Sequence, residues 1–222
     1  MRKIGLIIFV ILLINFLSAC MSEKENEDLQ KTSLKDIDTI LIDFGSTNVN
    51  IVSAEIEQLE LSMLLHDDGP SIAIDKEKHK VIIQQKKELI RLFKIGKKPQ
   101  LEVRIPIEFT GKIILDGSSG DVFGENLQTH NIRVDGSSGK VELGFSQFKS
   151  NINVKTTSGN INIYLNEDEP DARIHLKSSS GRHAVGLALE NFQQSRKETR
   201  GTTGNANYEI KLETSSGNIS IN

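Results

Sequence analysis

A short turn ending in glycine recurs through the second half of the chain and limits the folds open to it. It reads Asp-Gly-Ser-Ser-Gly at 116–120 and 135–139, Thr-Thr-Ser-Gly at 156–159, Ser-Ser-Ser-Gly at 178–181 and Thr-Ser-Ser-Gly at 214–217. The turn glycines Gly120, Gly139, Gly159, Gly181 and Gly217 are spaced by 19, 20, 22 and 36 residues. A recurring period near twenty is the mark of a repeat array, in which each unit buries its apolar face against its neighbours. The expected fold is all-β: a single-domain β-solenoid (β-helix-like) with rungs of about 20 residues and an N-terminal β-hairpin excursion.

The residues around each glycine support that reading. Seven and five positions before it stand Ile113/Leu115, Ile132/Val134, Ile152/Val154, Ile174/Leu176 and Ile210/Leu212. Two and four positions after it stand Val122/Gly124, Val141/Leu143, Ile161/Ile163, His183/Val185 and Ile219/Ile221. A period of two places one face of each strand inward and leaves the other wet. Glycine permits a positive φ in the turn, and the preceding hydroxyls can bond backbone groups there. The same template picks out a degenerate first copy, Ile40/Ile42 and Val49/Ile51, with Thr47 in place of the glycine. Atypical terminal repeats act as caps, so this first rung is expected at the end of the stack.

Two stretches break the period. In 52–110, Leu59, Leu61, Met63 and Leu65 alternate, a hairpin is expected around Asp75–Lys80, and Leu101–Ile107 forms a strand with Pro106 at an edge or end. Between these lies Gln84–Gln100, with Lys86, Lys87, Arg91, Lys94, Lys97 and Lys98 against Glu88 alone. This is a basic amphipathic helix or a protruding hairpin tip. The second break, 182–209, imitates the turn at Thr202–Asn205 but places Lys197 and Thr199 where aliphatics belong. It is expected to leave the solenoid wall.

The N-terminus carries Arg2 and Lys3, an apolar run from Ile4 to Phe16, and then Leu17-Ser18-Ala19-Cys20. This is the layout of a secretory signal peptide, with an apolar run short for a membrane span of roughly 20 residues. Leu-Ser-Ala-Cys resembles the bacterial lipobox, which implies cleavage after Ala19 and lipidation of Cys20, the only cysteine. The chain then divides into a signal peptide at 1–19, a lipid-anchored tether at 20–36 and an ectodomain at 37–222. Its place is the extracytoplasmic face of a bacterial membrane. With its sole cysteine spent on lipid, no disulfide can form, so packing alone must hold the domain. Loss of Arg2 and Lys3 moves the formal charge from −3 to −5, which suits no general nucleic-acid binder.

The Ser/Thr-Ser-Gly-Asp/Asn-Ile/Val rungs, following Leu101-Glu102-Val103-Arg104-Ile105-Pro106, resemble a bacterial family of cell-surface candidate adhesins of unknown function. The resemblance implies a β-solenoid over roughly residues 37–222 and names no activity.

Most candidate chemistries fail on spacing. A calcium site needs six to eight oxygens recurring from turn to turn, whereas Lys155, Lys177, Lys140 and Arg182 interrupt the acidic positions at the turns. The remaining turn carboxylates read as solvated. The serines recur in every rung and lack a nucleophile elbow, and the histidines form no zinc pattern. Neither a cofactor nor a metal is expected. His183, polar at an apolar offset, is expected to tilt outward. Paired acids on a β-helix could serve a polysaccharide-processing enzyme. However, Glu167-Asp168-Glu169 with Asp171 reads as a charged corner, and stacking aromatics are scarce, with no Trp and only Tyr164 and Tyr208 as tyrosines.

The expected function is therefore a membrane-anchored, non-enzymatic binding or structural role in the cell envelope. Two contacts are expected. The Lys86–Lys98 cluster would touch an anionic lipid or wall polymer, the alternative being a solvated hairpin with incidental charge. The strand edge of the last rung, at Ile219–Ile221, would accept a protein partner or a second copy. Replacing Lys86, Lys87, Arg91, Lys94 and Lys97 with Gln is expected to abolish binding to anionic liposomes, measured by co-sedimentation. Unchanged binding would remove the basic segment from consideration.

Overall fold

A computed structural model describes residues 26–65, 71–85 and 99–222. Among these residues every regular element is a strand. The first half holds β1 (Asn26–Thr32), β2 (Thr39–Gly45), β3 (Asn48–Ala54), β4 (Leu59–Leu65), β5 (Ile72–Glu77), β6 (Lys80–Gln85), β7 (Gln100–Pro106), β8 (Lys112–Gly117) and β9 (Val122–Leu127). Next come β10 (Asn131–Asp135), β11 (Val141–Phe145), β12 (Asn151–Ser158), β13 (Ile161–Leu165) and β14 (Ala172–Ser180). The chain continues through β15 (His183–Val185), β16 (Glu190–Gln194), β17 (Glu198–Thr203), β18 (Tyr208–Ser216) and β19 (Ile219–Ile221).

The strands form two mixed sheets. The first has nine strands in the order β1-β4-β7-β3-β9-β11-β13-β19-β15, and the second ten in the order β16-β17-β14-β18-β12-β10-β8-β2-β6-β5. Each glycine turn carries the chain from the second sheet to the first, so a rung is one strand from each. Rungs stack in parallel through the middle of both sheets. The aliphatic offsets face inward as the alternation requires: Ile113, Leu115, Ile132, Val134, Ile152, Val154, Ile210 and Leu212 are all buried. Each such side chain contributes about 1.5–3 kcal/mol on leaving water. Gly124, which breaks the pattern, is covered by Leu127 and Leu143, whose side chains would collide with a Cβ there.

The order of the rungs departs from the order of the chain. The last rung, β18–β19, lies between β12–β13 and β14–β15 and pairs on both sides. The edge expected at Ile219–Ile221 is therefore already filled by the chain itself. The first rung, β2–β3, is likewise internal, flanked by β8–β9 and by β6–β7, and is not a terminal cap. Antiparallel strands close three of the four sheet ends instead: β1 and β4 beyond β7, β5 beyond β6, and β17 and β16 beyond β14; the fourth ends on the short parallel strand β15. The hairpin around Asp75–Lys80 is as the sequence indicated; of the stretch 182–209, His183–Val185 stays in the parallel wall as β15 and the departure follows it.

A second difference lies at Asn26–Thr32, within the stretch that reads as a solvated tether. It forms the edge strand β1, paired in full with β4. Its polar side chains hide it from any hydrophobic pattern, yet they make its bonds. Asp28 Oδ2 accepts the Ile72 N–H at 2.9 Å, Gln30 Nε2 donates to the Ile72 carbonyl at 2.9 Å, and Lys31 pairs with Glu60 at 2.6 Å. The two bonds to Ile72 tie the edges of the two sheets together, the Lys31–Glu60 pair joins β1 to β4 within one sheet, and a polar, lysine-bearing strand is a common way to blunt a sheet edge.

The turn glycines stack into a spine running Thr47, Gly120, Gly139, Gly159, Gly217, Gly181. A Cβ on each glycine would overlap the backbone carbonyl oxygen of the preceding member. Positive φ holds only at Gly139, Gly159 and Gly217, so close approach between rungs, more than turn conformation, excludes side chains here. Thr47 is tolerated because it ends the spine. In the next rung outward β6 ends at Gln85 and β7 begins at Gln100, and Thr47 Oγ1 donates to Gln85 Oε1 at 3.3 Å.

Side chains beside the spine bond from rung to rung instead of pointing to water. Asn48, Asp121, Asn160 and Asn218 each accept, through a side-chain oxygen, the N–H of the same position in the adjacent rung at 2.8–3.0 Å. Asp121 is thus a ladder acceptor rather than a merely solvated turn carboxylate. Behind them, Thr156 donates to Thr214 at 3.0 Å, Thr214 to the Gly159 carbonyl at 3.3 Å, and Ser178 to the Gly217 carbonyl at 3.1 Å. These buried bonds each contribute about 0.5–1.5 kcal/mol.

Gly159→Ala, which combines the carbonyl overlap with φ +143°, is expected to lose about 3 kcal/mol or more in urea unfolding. Gly136→Ala, whose Cβ would meet only the Thr156 methyl at 3.8 Å, is expected to be neutral or stabilising by up to about 1 kcal/mol. Equal effects at the two sites would overturn the spine.

Candidate functional site

The outer face of the first sheet carries a groove of about 490 Å³ across β9, β11 and β13. Strand alternation decides what faces it: Val122, Val141, Leu143 and Ile161 point inward, so Phe123, Glu142, Gly144 and Tyr164 point out. Register then sets their places. Glu142 lies opposite Phe123 on one side, and Gly144 lies opposite Tyr164 on the other. Gly144 has no side chain, so it forms the floor, and the 46% exposed Tyr164 ring forms one wall.

A β-bulge builds the opposite wall. Between Leu143 and Phe145 the register with β9 slips from Gly124 to Leu127, which inserts one extra residue in β9. Asn126 takes φ +51° there, and Glu125 and Asn126 turn out at the groove. Bulges are rare in parallel pairs and tend to stand beside functional sites, where they re-aim side chains. The far end is bounded by Ser146 and Asn166, and the Ser146 hydroxyl is buried without a hydrogen-bond partner.

Glu142 is the electrostatic centre. Its Oε1 takes Lys140 Nζ at 2.7 Å, Asn162 Nδ2 at 3.0 Å and the Tyr164 hydroxyl at 3.5 Å. The Lys140 hydrogen bond, joined by the Asn162 bond, holds its carboxyl below the usual range despite an opposing push from burial. Lys140 also sits 5.9 Å from the centroid of the Phe123 ring. One lysine thus neutralises the carboxylate and occupies the face of one aromatic. The position immediately after the turn glycine gave only a charge that varies from rung to rung in the sequence. Folding turns its lysine onto Glu142, two residues further along the chain in β11.

Cys20 and the basic residues Lys86, Lys87, Arg91, Lys94, Lys97 and Lys98 lie outside the described residues. His183 does not tilt outward. Its Nδ1 lies 3.0 Å from Thr199 Oγ1, its Nε2 is buried without a partner, and burial pushes its pKa down. In the acidic corner, Glu167 accepts the Phe148 N–H at 3.0 Å and Asp171 the Asn205 N–H at 2.7 Å, so both carboxylates tie loops together. Among the described residues no group of three or more His, Cys, Asp or Glu side chains is placed to hold a metal ion. No described helix is long and apolar enough to cross a membrane.

A carboxylate with a depressed pKa stabilises the fold above its ordinary value, and that contribution fades as pH falls through the folded value. Glu142→Gln is therefore expected to lower the thermal midpoint at neutral pH, with the difference from the parent shrinking as pH falls below 4.5. A difference independent of pH would remove the ionic role of Glu142.

Comparison with solved structures finds the same fold in a candidate cell adhesion protein from Clostridium sporogenes. That structure has 14% identity and a TM-score of 0.66, covering 89% of this chain and 99% of that one. A candidate adhesin from Bacteroides fragilis matches at 10% identity and a TM-score of 0.38, covering 90% of this chain and 99% of that one. No curated protein matches. Residues 107–222, just over half of the chain, fit the model of the Toastrack DUF4097 family, and the chain belongs to that family.

Proposed function

We propose that the chain is a lipid-anchored, non-enzymatic binding module of the bacterial cell envelope, held at the extracytoplasmic membrane face through Cys20. On this reading the stacked rungs are a β-solenoid, and the groove at Gly144 and Tyr164 is the contact surface. The observation that carries it is the groove itself: an open, half-polar depression, walled by a bulge, on a rigid parallel scaffold. Binding sites of this volume class combine an apolar surface with a few fixed polar groups. Residues 1–19 supply the export signal, and cell adhesion, the role in the name of the Clostridium sporogenes protein, is one such binding role.

Catalysis of glycan cleavage is the less favoured reading. Hydrolysis by paired carboxyls needs one of them held protonated near neutral pH. Lys140 drives Glu142 the opposite way.

Two substitutions separate anchoring from binding. Cys20→Ser is expected to move the chain from the membrane to the soluble fraction while leaving capture of envelope fragments intact. Gly144→Val is expected to keep the chain on the membrane and lose capture. Its Cβ would stand 3.5 Å from the Gly124 carbonyl, an ordinary contact, and a β-branched residue suits an outward strand position. Wild-type capture by Gly144→Val would refute the groove as the contact surface, and a membrane-bound Cys20→Ser chain would refute the anchor.

A further inference from the structure

The groove's chemistry narrows what can sit in it, and this step rests on the binding reading above. We infer that it accepts an uncharged sugar ring of a glycan.

The floor and one wall are apolar and flat. Gly144 removes any side chain that would lift a ligand off the sheet, and Tyr164 presents its ring beside it. An aromatic ring offers an apolar face that accepts C–H groups, which the flat side of a pyranose supplies. Around that face the groups are polar and mostly acceptors. The three bonds to Glu142 all fall on Oε1, leaving Oε2 without one among the described residues. Glu125 and Asn126 stand on the bulge, with Asn166 and the unpartnered Ser146 hydroxyl at the far end. A ring bearing hydroxyls along its edge can donate to the carboxylates and both donate to and accept from the amides and Ser146.

Other ligand classes fit less well. An apolar ligand, such as an acyl chain, would strip water from two carboxylates and a hydroxyl and return no hydrogen bond to them. An anion would meet the Glu125 carboxylate on the bulge, and Lys140, which could offset it, is already paired with Glu142. A cationic headgroup would seek an aromatic face backed by a carboxylate. Lys140 already holds that position, paired with Glu142 at 2.7 Å and 5.9 Å from the Phe123 centroid. What remains is a neutral, flat, hydroxyl-rich group. The volume of about 490 Å³ lies within the range of small-molecule sites. With a single free aromatic wall, one site binds weakly, and many anchored copies facing a repetitive glycan would supply avidity.

The chain carries its own reporter. It has no Trp, and Tyr164 and Tyr208 are its only tyrosines. Tyr208 packs edge-on against Phe148, ring centroids 5.8 Å apart, so Tyr208→Phe keeps that contact and leaves Tyr164 as the sole tyrosine emitter. The full chain with this substitution, in detergent, would be titrated with N,N′-diacetylchitobiose, maltose, a glucuronate disaccharide and choline at millimolar concentrations. Saturable change in Tyr164 emission with a neutral disaccharide is expected. Gly144→Val is expected to weaken it at least about tenfold with an unchanged thermal midpoint.

Response to the glucuronate disaccharide or choline alone would overturn the inference, as would no response to either neutral sugar. A neutral-sugar response that survives Gly144→Val would overturn it too. If sugar binding fails while Gly144→Val still abolishes envelope capture, the ligand class falls and the binding module stands. If Gly144→Val changes neither, both fall.

Discussion

The rungs can stack at strand spacing only if their corners stack as well, and corners are where a chain must turn without spreading. In this protein backbone meets backbone at that point. The carbonyl of one turn occupies the volume that a Cβ of the next would need, from Thr47 through Gly120, Gly139, Gly159 and Gly217 to Gly181. The consequences run outward from this contact. With the corners in register, Ile, Leu and Val at fixed offsets fall into inward columns. Side-chain oxygens just after the glycines reach the N–H groups of the neighbouring rung, and hydroxyls three residues before them reach its carbonyls. A spine built of absent side chains also leaves the outer face of the sheet flat, which allows a single bulge at Glu125–Asn126 to shape a groove.

The inward columns were legible because a period of two is a direct consequence of strand geometry. The order of the rungs was not. Every rung offers the same aliphatic pair at the same offset, so hydrophobic pattern scores all stacking orders nearly alike. The deciding information sits in the polar positions. Gly117 lies under the Phe44 ring, whereas Thr156, Thr214 and Ser178 form a continuous run of hydroxyls, which draws the last rung between two earlier ones. Arg182 donates its N–H to Asn218 and, like Lys140 in mid-stack, offers no side-chain oxygen in return, so this ladder stops at both positions. Read as charges, these positions vary without order; read as donors and acceptors, they specify neighbours.

The groove was harder still to foresee. Phe123, Glu142, Gly144 and Tyr164 come from three strands with no shared motif. Only the register between β9, β11 and β13 makes them neighbours. Gly124 was visible as a departure from the inward pattern, and it marks the bulge, since Leu127 reaches back to fill the vacancy. Strand β1 escaped for a related reason. Its role is to bond Ile72 and Glu60 at an edge, and such bonding needs the Asp, Gln and Lys that elsewhere signal a solvated tether.

The interleaving of the last rung has a temporal side. Strands β14 to β17 are made before β18 and β19, yet among the described residues their only parallel pairing with the rest of the stack passes through those later strands. Ile152 meets Ile210, and the Asn151 side chain reaches the Glu209 N–H 58 positions along the chain. Contacts of such separation carry a large loop-closure entropy and form slowly. A chain folding from its N-terminus could stack its rungs as far as β13 as they arrive, and then must wait with an open face. Strands β18–β19 then join β12–β13 on one side to β14–β15 on the other. The interleaving thereby makes the final strands a condition for seating the β14–β17 unit, since its parallel partners among the described residues are β18 and β19.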